Sequence, residues 1–323
     1  MTKSRSTNSV TPLPAIRPGR AIVGMSAVLL PFDHDGEVDW VGFERLLSRT
    51  LEAGLLPAVN MDTGYVQLLN DVTRLRVLSI ARQLAGERGF VAGAFVRDEP
   101  GAALDVDAHV RSLHEVVTSG GTPVVFPSYG LNQGSEQDWV DAHIAFGQRV
   151  DAFIGFELGS VFVPYGRIFS LDAYEGLMSI NACIGAKHSS LSRQLEWDRL
   201  ALRDRVRPEF HVFTGNDLAI DMVCYGSDYL LGLSAFAPDA FAERDRRWAD
   251  SDPSFYELND LLQYLGSFAF RNPVPGYRHD AALFLQARGW IATDATPPEA
   301  ARRPSSDRDV LTEILQRIER ELQ

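Results

Sequence analysis

The chain alternates short apolar runs with longer amphipathic segments from Ala21 to about Asp250. Apolar residues three and four positions apart, as in Phe43, Leu46 and Leu47, mark one face of a helix, whereas short apolar runs bounded by turn residues are typical of buried strands. The pattern predicts eight strand-then-helix units, with strands near residues 22–30, 57–62, 90–96, 122–126, 152–158, 209–213 and 229–233 and one more that ends at 187. Eight such units close a parallel (β/α)8 barrel.

A doubly wound sheet is the alternative for this alternation. The connections stay short along the whole stretch and no change of composition divides it, so the α/β chain is predicted to form a TIM barrel over residues 21–250. After Asp250 the strands stop, and three helices are predicted as a C-terminal extension over residues 251–323, at 255–270, 277–290 and 309–322. Residues 1–20 are polar and lack the apolar core of a secretory signal, so we expect a flexible N-terminal tail.

Charge and composition narrow the classes of partner. The 323 residues include 43 acidic and 31 basic ones, for a formal net charge of −12. This balance repels phosphate backbones and anionic lipid, so neither nucleic acid nor a membrane is expected as a partner. Cys183 and Cys224 lie in apolar segments, which is typical of free thiols in a reducing, cytoplasmic setting. Scattered histidines and the absence of a glycine-rich phosphate loop predict neither a metal nor another cofactor.

The octapeptide from Cys183 to Ser190 is the strongest candidate for chemistry. An apolar run leads to a lone lysine, Lys187, and then breaks into small polar residues, as expected of a strand that delivers its last side chains into a pocket. Burial disfavours the charge of a lysine and lowers its pKa, which makes the amine able to attack a carbonyl. The alternative is a lysine that neutralises a nearby carboxylate at a strand end.

Residues at the other strand ends extend this candidate site, since barrel active sites lie at the C-terminal ends of the strands. Together they resemble the motifs of the dihydrodipicolinate synthase and N-acetylneuraminate lyase family. The residues that carry the resemblance are Pro31-Phe32, Asp35-Gly36, Val38-Asp39, Thr63-Gly64, Pro127-Ser128-Tyr129, Gly185-Ala186-Lys187, Ser189-Ser190 and Thr214-Gly215-Asn216-Asp217. The family consists of class I aldolases and lyases on a (β/α)8 barrel with a C-terminal helical extension, which is the same architecture.

The resemblance implies roles for individual residues. Lys187 matches the lysine that forms a Schiff base with the substrate ketone, and the resulting iminium withdraws electrons from the neighbouring carbon. Thr63, with Gly64 after it, matches the position at which the family holds the carboxylate of a 2-oxo acid. Tyr129 is similar to a tyrosine that reaches into the site of a neighbouring subunit, which implies a homodimer or homotetramer.

Three further positions are expected to line the pocket. Gly215 and Leu233 fall where the family presents main-chain carbonyls to the substrate. Arg167, in the long loop after strand five, is a candidate for a bidentate contact to a distal carboxylate of the substrate, although a solvated arginine is the alternative there.

The chain departs from the family pattern at two positions. Asp62 stands where a hydroxyl residue of the proton relay is usual, and the acid/base tyrosine after strand five has no counterpart. Glu157 takes its place if it marks the strand end, whereas Val161 or Phe162 does so if Pro164 is the anchor. We therefore hypothesise that Asp62 and Glu157 form a carboxylate pair near Lys187 that shares a proton. The alternatives are a salt bridge to Lys187 and, if Pro164 is the anchor, a surface position for Glu157.

These features predict a Schiff-base lyase, either an aldolase or a dehydratase, for a 2-oxo acid such as pyruvate or a sugar-derived keto acid. Two alternatives remain open at this point. One is a lyase for a carbonyl substrate without the pyruvyl carboxylate, and the other is a non-catalytic barrel that binds a ligand or acts as a scaffold.

Overall fold

Eight parallel strands form a closed barrel in the computed structural model, which describes residues 14–323. Each strand pairs with the next, and the last pairs with the first, so the predicted (β/α)8 barrel is confirmed. The strands are β1 (Gly24–Ala27), β2 (Leu56–Val59), β3 (Val91–Ala94), β4 (Thr122–Val125), β5 (Phe153–Leu158), β6 (Cys183–Ser189), β7 (His211–Thr214) and β8 (Asp228–Leu231). β6 continues two residues beyond the expected end at Lys187.

Helices surround the barrel and follow the strands. They are α1 (Trp40–Glu52), α2 (Asp71–Ala85), α3 (Val106–Thr118), the short α4 (Tyr129–Asn132), α5 (Glu136–Gly147), α6 (Leu171–Met178), α7 (Arg193–Val206) and α8 (Pro238–Ala249). Several begin at a side chain that accepts a hydrogen bond from the first turn, such as Asp39, Asn70 and Asp105. Between β7 and β8, where a helix was expected, the chain forms a 3-10 helix over Ile220–Tyr225.

Strand side chains alternate between the barrel interior and the surrounding helices. On β5, Ile154 and Phe156 belong to the interior cluster, whereas Phe153 packs in the outer core against the helices. Register carries this alternation to β6, because Phe156 pairs with Lys187 and Glu157 pairs with His188. Lys187 therefore faces the interior, and Glu157 and His188 face outward.

The C-terminal extension consists of three helices, as predicted: α9 (Phe255–Ala269), α10 (Tyr277–Ala287) and α11 (Asp307–Glu321). α9 packs on the 3-10 helix after β7, where Gln263 Oε1 accepts a hydrogen bond from the backbone of Ile220 at 2.9 Å. The first turn of α10 lies over the end of β8, so that a methyl group added to Gly232 would lie 3.1 Å from the Tyr277 ring. The extension thus reaches the end of the barrel that carries the site.

Part of the expected N-terminal tail is fixed to the barrel. The backbone N–H of Arg17 donates to the carbonyl of Cys224 at 2.8 Å, and Arg20 Nη1 forms an ion pair with Asp228 at 2.7 Å. The carboxylate of Asp228 is buried, and residues 14–20 thus contact the barrel through its ion pair with Arg20 and the backbone bond of Arg17. Residues 1–13 of the predicted tail lie outside the described residues. No helix in the described part of the chain has the length and apolarity needed to cross a membrane.

Candidate active site

Lys187 lies inside the barrel near the C-terminal end of β6, with 7% of its surface exposed. Its Nζ is 4.5 Å from the centre of the Phe156 ring, and within residues 14–323 it forms no ion pair with a carboxylate. Burial lowers the pKa of the amine to about 8, against smaller raising contributions from Asp217 and Asp62. The salt-bridge alternative for Lys187 is therefore wrong. The lowered pKa makes the amine of Lys187 a candidate nucleophile near neutral pH.

Gly215 leaves the space that the lysine side chain occupies. A methyl group at this position would lie 2.8 Å from Lys187 Cε and 2.0 Å from Ser189 Oγ, both closer than atoms pack. The N–H of Gly215 donates to the carbonyl of His188 at 2.9 Å, which fixes the end of β7 against β6. The structure thus places Gly215 beside the lysine, and the predicted role of its carbonyl stays a prediction.

Asp62 and Thr63 lie across the barrel mouth in a 3-10 turn after β2, and both are buried. Tyr277 from α10 bridges them: its hydroxyl donates to Asp62 Oδ2 at 2.9 Å and lies 2.9 Å from Thr63 Oγ1. Gln67 Nε2 donates to Asp62 Oδ1 at 2.9 Å, and Arg278 Nη1 lies 3.4 Å from the same oxygen. Sequence reasoning missed Tyr277 and Arg278, because nothing in their local pattern distinguishes them from ordinary helix residues.

Asp217 is a second buried carboxylate at the mouth, between Lys187 and the end of β8. Its Oδ1 accepts the backbone N–H of Leu233 at 2.7 Å. Burial raises the pKa of Asp217 to about 7, against lowering contributions from that N–H and from Lys187. A carboxyl with this pKa exchanges protons readily near neutral pH. The sequence analysis named Asp217 only as part of the motif after strand seven and predicted no role for it.

Backbone groups of Gly64 and Leu233, two residues predicted to bind substrate, already form hydrogen bonds. The N–H of Gly64 donates to the carbonyl of Met61 at 3.0 Å, so it is not free to bind a carboxylate. The carbonyl of Leu233 accepts the N–H of Phe236 at 3.1 Å, which uses one of its lone pairs. Leu233 contributes instead through its own N–H, which orients Asp217.

The predicted pair of Asp62 and Glu157 is wrong, because Glu157 lies outside the barrel. Its carboxylate is fully buried against α7, where Arg199 Nε and Nη2 each donate to it at 2.6 Å. His188 Nδ1 lies 2.8 Å from Glu157 Oε2, and Ser190 Oγ lies 2.7 Å from His188 Nε2. This row is similar in spacing to a serine–histidine–carboxylate triad. Arg199, however, already neutralises Glu157, so we assign the row to the barrel wall.

Arg167, in the loop after β5, contacts α4 and the residues that follow it. Arg167 Nη1 donates to the carbonyls of Asn132 at 3.1 Å and Gly134 at 2.7 Å, and its guanidinium lies 4.7 Å from the Phe169 ring centre. These bonds hold the loop to α4, and the predicted carboxylate contact of Arg167 stays a prediction.

Two tyrosines meet near the mouth of the barrel. Tyr129, half-buried at the start of α4, packs against Tyr165 with ring centres 4.8 Å apart and ring planes tilted by 59°. The hydroxyl of Tyr165 is buried, and no described residue hydrogen-bonds to it. Burial raises the pKa of Tyr165 well above its usual value. The role of Tyr129 toward a partner subunit stays a prediction. Tyr165 lies in the loop after β5 and brings a phenol group to this end of the barrel.

The described residues contain no candidate metal site. Within residues 14–323, no three His, Cys, Asp or Glu side chains converge to hold a metal ion. Cys183 and Cys224 are free and buried, as predicted, and burial raises the pKa of both thiols to about 12. Neither thiol is therefore a nucleophile at neutral pH.

A closed (β/α)8 barrel with one buried lysine among carboxyl and hydroxyl groups at its mouth is the architecture of class I aldolase-type lyases. No protein-family model matches the chain. Two curated relatives, both named 4-hydroxy-tetrahydrodipicolinate synthase, do match. The protein from Kosmotoga olearia is 25% identical over 261 residues, covering 77% of this chain and 84% of its own. The protein from a Synechococcus species is 26% identical over 309 residues, covering 90% and 93%.

Solved structures show the same fold. YagE, an E. coli prophage protein of the dihydrodipicolinic acid synthase family solved in complex with pyruvate, superposes with a TM-score of 0.78 at 16% identity, covering 92% of this chain and 98% of its own. The motifs and the two curated relatives, on this shared fold, support a divergent member of the dihydrodipicolinate synthase and N-acetylneuraminate lyase family, an enzyme of the aldolase-type lyase class.

Proposed function

We propose that this enzyme forms a Schiff base between Lys187 and a 2-oxo acid and acts as an aldolase or a dehydratase. The proposal rests on the amine of Lys187, which is buried inside the barrel and forms no ion pair with any of residues 14–323. With a pKa of about 8, roughly one tenth of the amine is neutral at pH 7, against roughly one part in a few thousand for an ordinary lysine. Only the neutral amine attacks a carbonyl.

The lysine content of the chain supports the same role. Lys3 and Lys187 are the only two lysines among the 31 basic residues, and the other 29 are arginines. Arginine satisfies ion pairs and stacking, but its guanidinium stays protonated and cannot form a Schiff base. A lysine is therefore retained at the one barrel position where amine chemistry is proposed.

The reaction follows from the positions of these groups. Neutral Nζ adds to the ketone carbon, the carbinolamine loses water, and the iminium draws electrons from the bond to the neighbouring carbon. The backbone N–H of Thr63 is proposed to hold the substrate carboxylate, and the pyruvate bound by YagE supports a 2-oxo acid as the ligand. Breakage of a carbon–carbon bond gives an aldolase, and loss of a hydroxyl group gives a dehydratase.

Borohydride trapping tests the proposal. Pyruvate, 2-oxobutanoate and 2-oxoglutarate are each incubated with the enzyme and reduced, and the modified peptide is identified by mass spectrometry. We expect an adduct on Lys187 with at least one of them. Lys3→Arg is the matched control and should retain the adduct, whereas Lys187→Arg should lose it. An adduct confined to Lys3, or no adduct, would contradict the proposal.

We also propose that the enzyme works as a homodimer or homotetramer in the cytoplasm. Tyr129 at the barrel mouth supports an interface there, and the free state of Cys183 and Cys224 supports a reducing compartment. Light scattering at micromolar concentration measures the mass in solution. A monomer would remove the intersubunit role of Tyr129.

A further inference from the structure

The C-terminal extension places a phenol inside the site of the barrel. Tyr277, the first residue of α10, donates its hydroxyl proton to Asp62 Oδ2 at 2.9 Å. Thr63 Oγ1 lies 2.9 Å from the same hydroxyl oxygen. A phenol has one proton to donate, so Thr63 must be the donor in the second bond. The protons in this chain of three groups therefore all point from Thr63 through Tyr277 toward Asp62.

Asp62, the acceptor at the end of this chain, is held in place by a hydrogen bond and lies beside a positive charge. Asp62 Oδ1 accepts from Gln67 Nε2 at 2.9 Å, which leaves Oδ2 for the phenol. Arg278 Nη1 lies 3.2 Å from the Asp62 carbonyl oxygen and 3.4 Å from Oδ1, and its guanidinium stacks 4.7 Å from the centre of the Tyr65 ring. The guanidinium of Arg278 matches the charge of the Asp62 carboxylate, and Oδ2 is the acceptor at the end of the chain.

Building on the proposed function, we infer that Thr63, Tyr277 and Asp62 are the proton relay of this enzyme. They replace the acid/base tyrosine that has no counterpart at the end of strand five. Asp62 is the proton acceptor, and Tyr277 connects it to the pocket through Thr63. The extension thus supplies a functional residue rather than only covering the barrel.

The relay completes the chemistry that Lys187 begins. When the iminium has formed, the carbon next to it gives its proton to Thr63 Oγ, Thr63 passes its own proton to Tyr277, and Tyr277 passes its own to Asp62. The electrons of the broken carbon–hydrogen bond form the carbon–carbon double bond of the enamine and neutralise the iminium nitrogen. Reversal of the same transfers returns the proton to carbon, or to a departing hydroxyl group in a dehydratase.

Concerted transfer suits the environment of the phenol. Burial raises the pKa of Tyr277 well above its usual value, with a further raising contribution from Asp62, so a free phenolate does not accumulate. A phenol that receives one proton as it releases another carries no net charge at any point. Gly232 permits this placement, since a methyl group there would lie 3.2 Å from Thr63 Oγ1 and 3.1 Å from the Tyr277 ring.

The test separates proton transfer from Schiff-base formation. Pyruvate is incubated with the full-length enzyme in deuterium oxide. Borohydride reduction reports the iminium on Lys187, and loss of the methyl proton signal in NMR spectra reports removal of the neighbouring protons. For Tyr277→Phe and Asp62→Asn we expect adduct formation within about twofold of the unaltered enzyme and proton exchange slower by about 10²-fold or more. Tyr264→Phe, at an exposed tyrosine of α9, is the matched control and should leave both rates unchanged.

Each outcome distinguishes the relay from the proposed function. An adduct together with unaltered exchange in both variants would overturn the relay and leave the Schiff base standing. A parallel fall in adduct and exchange would also overturn the relay, because it would show that these residues only shape the pocket. If the unaltered enzyme forms no adduct, the proposed function falls and the relay with it. Should Tyr277→Phe fail to fold, Thr63→Val decides the outcome with the same expectations, since valine keeps the shape of the side chain and leaves Asp62 paired with Arg278.

Discussion

Replacing Glu157 by glutamine tests whether its carboxylate belongs to the chemistry or to the wall of the barrel. The side chain is fully buried, and its oxygens accept from Arg199 twice at 2.6 Å, from His188 at 2.8 Å and from the backbone of Phe169 at 3.0 Å. In Glu157→Gln, the Arg199 guanidinium stays buried without its counter-charge. Breaking a buried ion pair in this way costs about 3–5 kcal/mol of folding free energy.

The pKa of Glu157 gives the same magnitude by a second route. Burial would raise this pKa, but Arg199 and His188 outweigh it and lower the pKa from 4.5 to about 2. At roughly 1.4 kcal/mol per pKa unit, this difference corresponds to about 3 kcal/mol. Because the folded pKa lies below the unfolded one, the stabilisation is complete above about pH 5 and is lost as the pH falls toward 2.

Urea unfolding, followed by tryptophan fluorescence between pH 7 and pH 3, measures both effects. Glu157→Gln should be less stable by about 3 kcal/mol at pH 7, and the difference should shrink as the pH falls. Glu313→Gln, at an exposed ion pair with Arg317, is the control and should change stability by less than about 1 kcal/mol. Where it remains folded, Glu157→Gln should still form the Lys187 adduct. Loss of the adduct with unchanged stability would refute this reasoning and return Glu157 to the active site.

Three further predictions concern other buried groups. Adduct formation should accelerate as the pH rises through about 8, the pKa to which burial lowers Lys187, and a rise only near pH 10 in the pH–rate profile would contradict this. Gly215→Ala should slow adduct formation by about tenfold or more, because its methyl group would lie 2.8 Å from Lys187 Cε, and unaltered trapping rates would show that the strand moves aside. Burial raises the pKa of Glu196 from 4.5 to about 7, so stability should fall as the pH rises between these values. Glu196→Gln should remove this loss of about 3 kcal/mol in urea titrations at pH 5 and pH 8, and equal pH dependence in both proteins would contradict the assignment.

The barrel was predictable because its units repeat. Each strand lies between turn residues, and each long helix shows a face of apolar residues such as Phe43 and Leu47, so eight local patterns report the same architecture. Lys187 was predictable for a related reason, since a lysine within an apolar run contradicts the local pattern and so marks a site. The 3-10 helix at 220–225 was not predictable, because it forms where α9 packs against the loop after β7.

Glu157 was wrongly predicted to face the barrel interior, because the sequence does not show on which side of the sheet its side chain lies. In an antiparallel sheet, alternation of polar and apolar residues shows which face a side chain occupies. β5 is apolar on both faces, with Phe153 outside and Phe156 inside, so its sequence does not show whether Glu157 points inward. Only the register against β6 decides this, by pairing Glu157 with His188 rather than with Lys187.

Asp62 shows why one departure from a family motif could not be interpreted alone. A carboxylate in place of a hydroxyl group beside the carboxylate site of a 2-oxo acid would repel the substrate if its charge were unmatched. Arg278 supplies the matching charge and Tyr277 supplies the hydroxyl group, from a helix more than 200 residues further along the chain. The substitution in the turn after β2 and the two residues at the start of α10 therefore form one unit. Exchange of Asp62 for threonine alone should then leave Arg278 buried without a counter-charge, so restoring the family motif requires changes at both places.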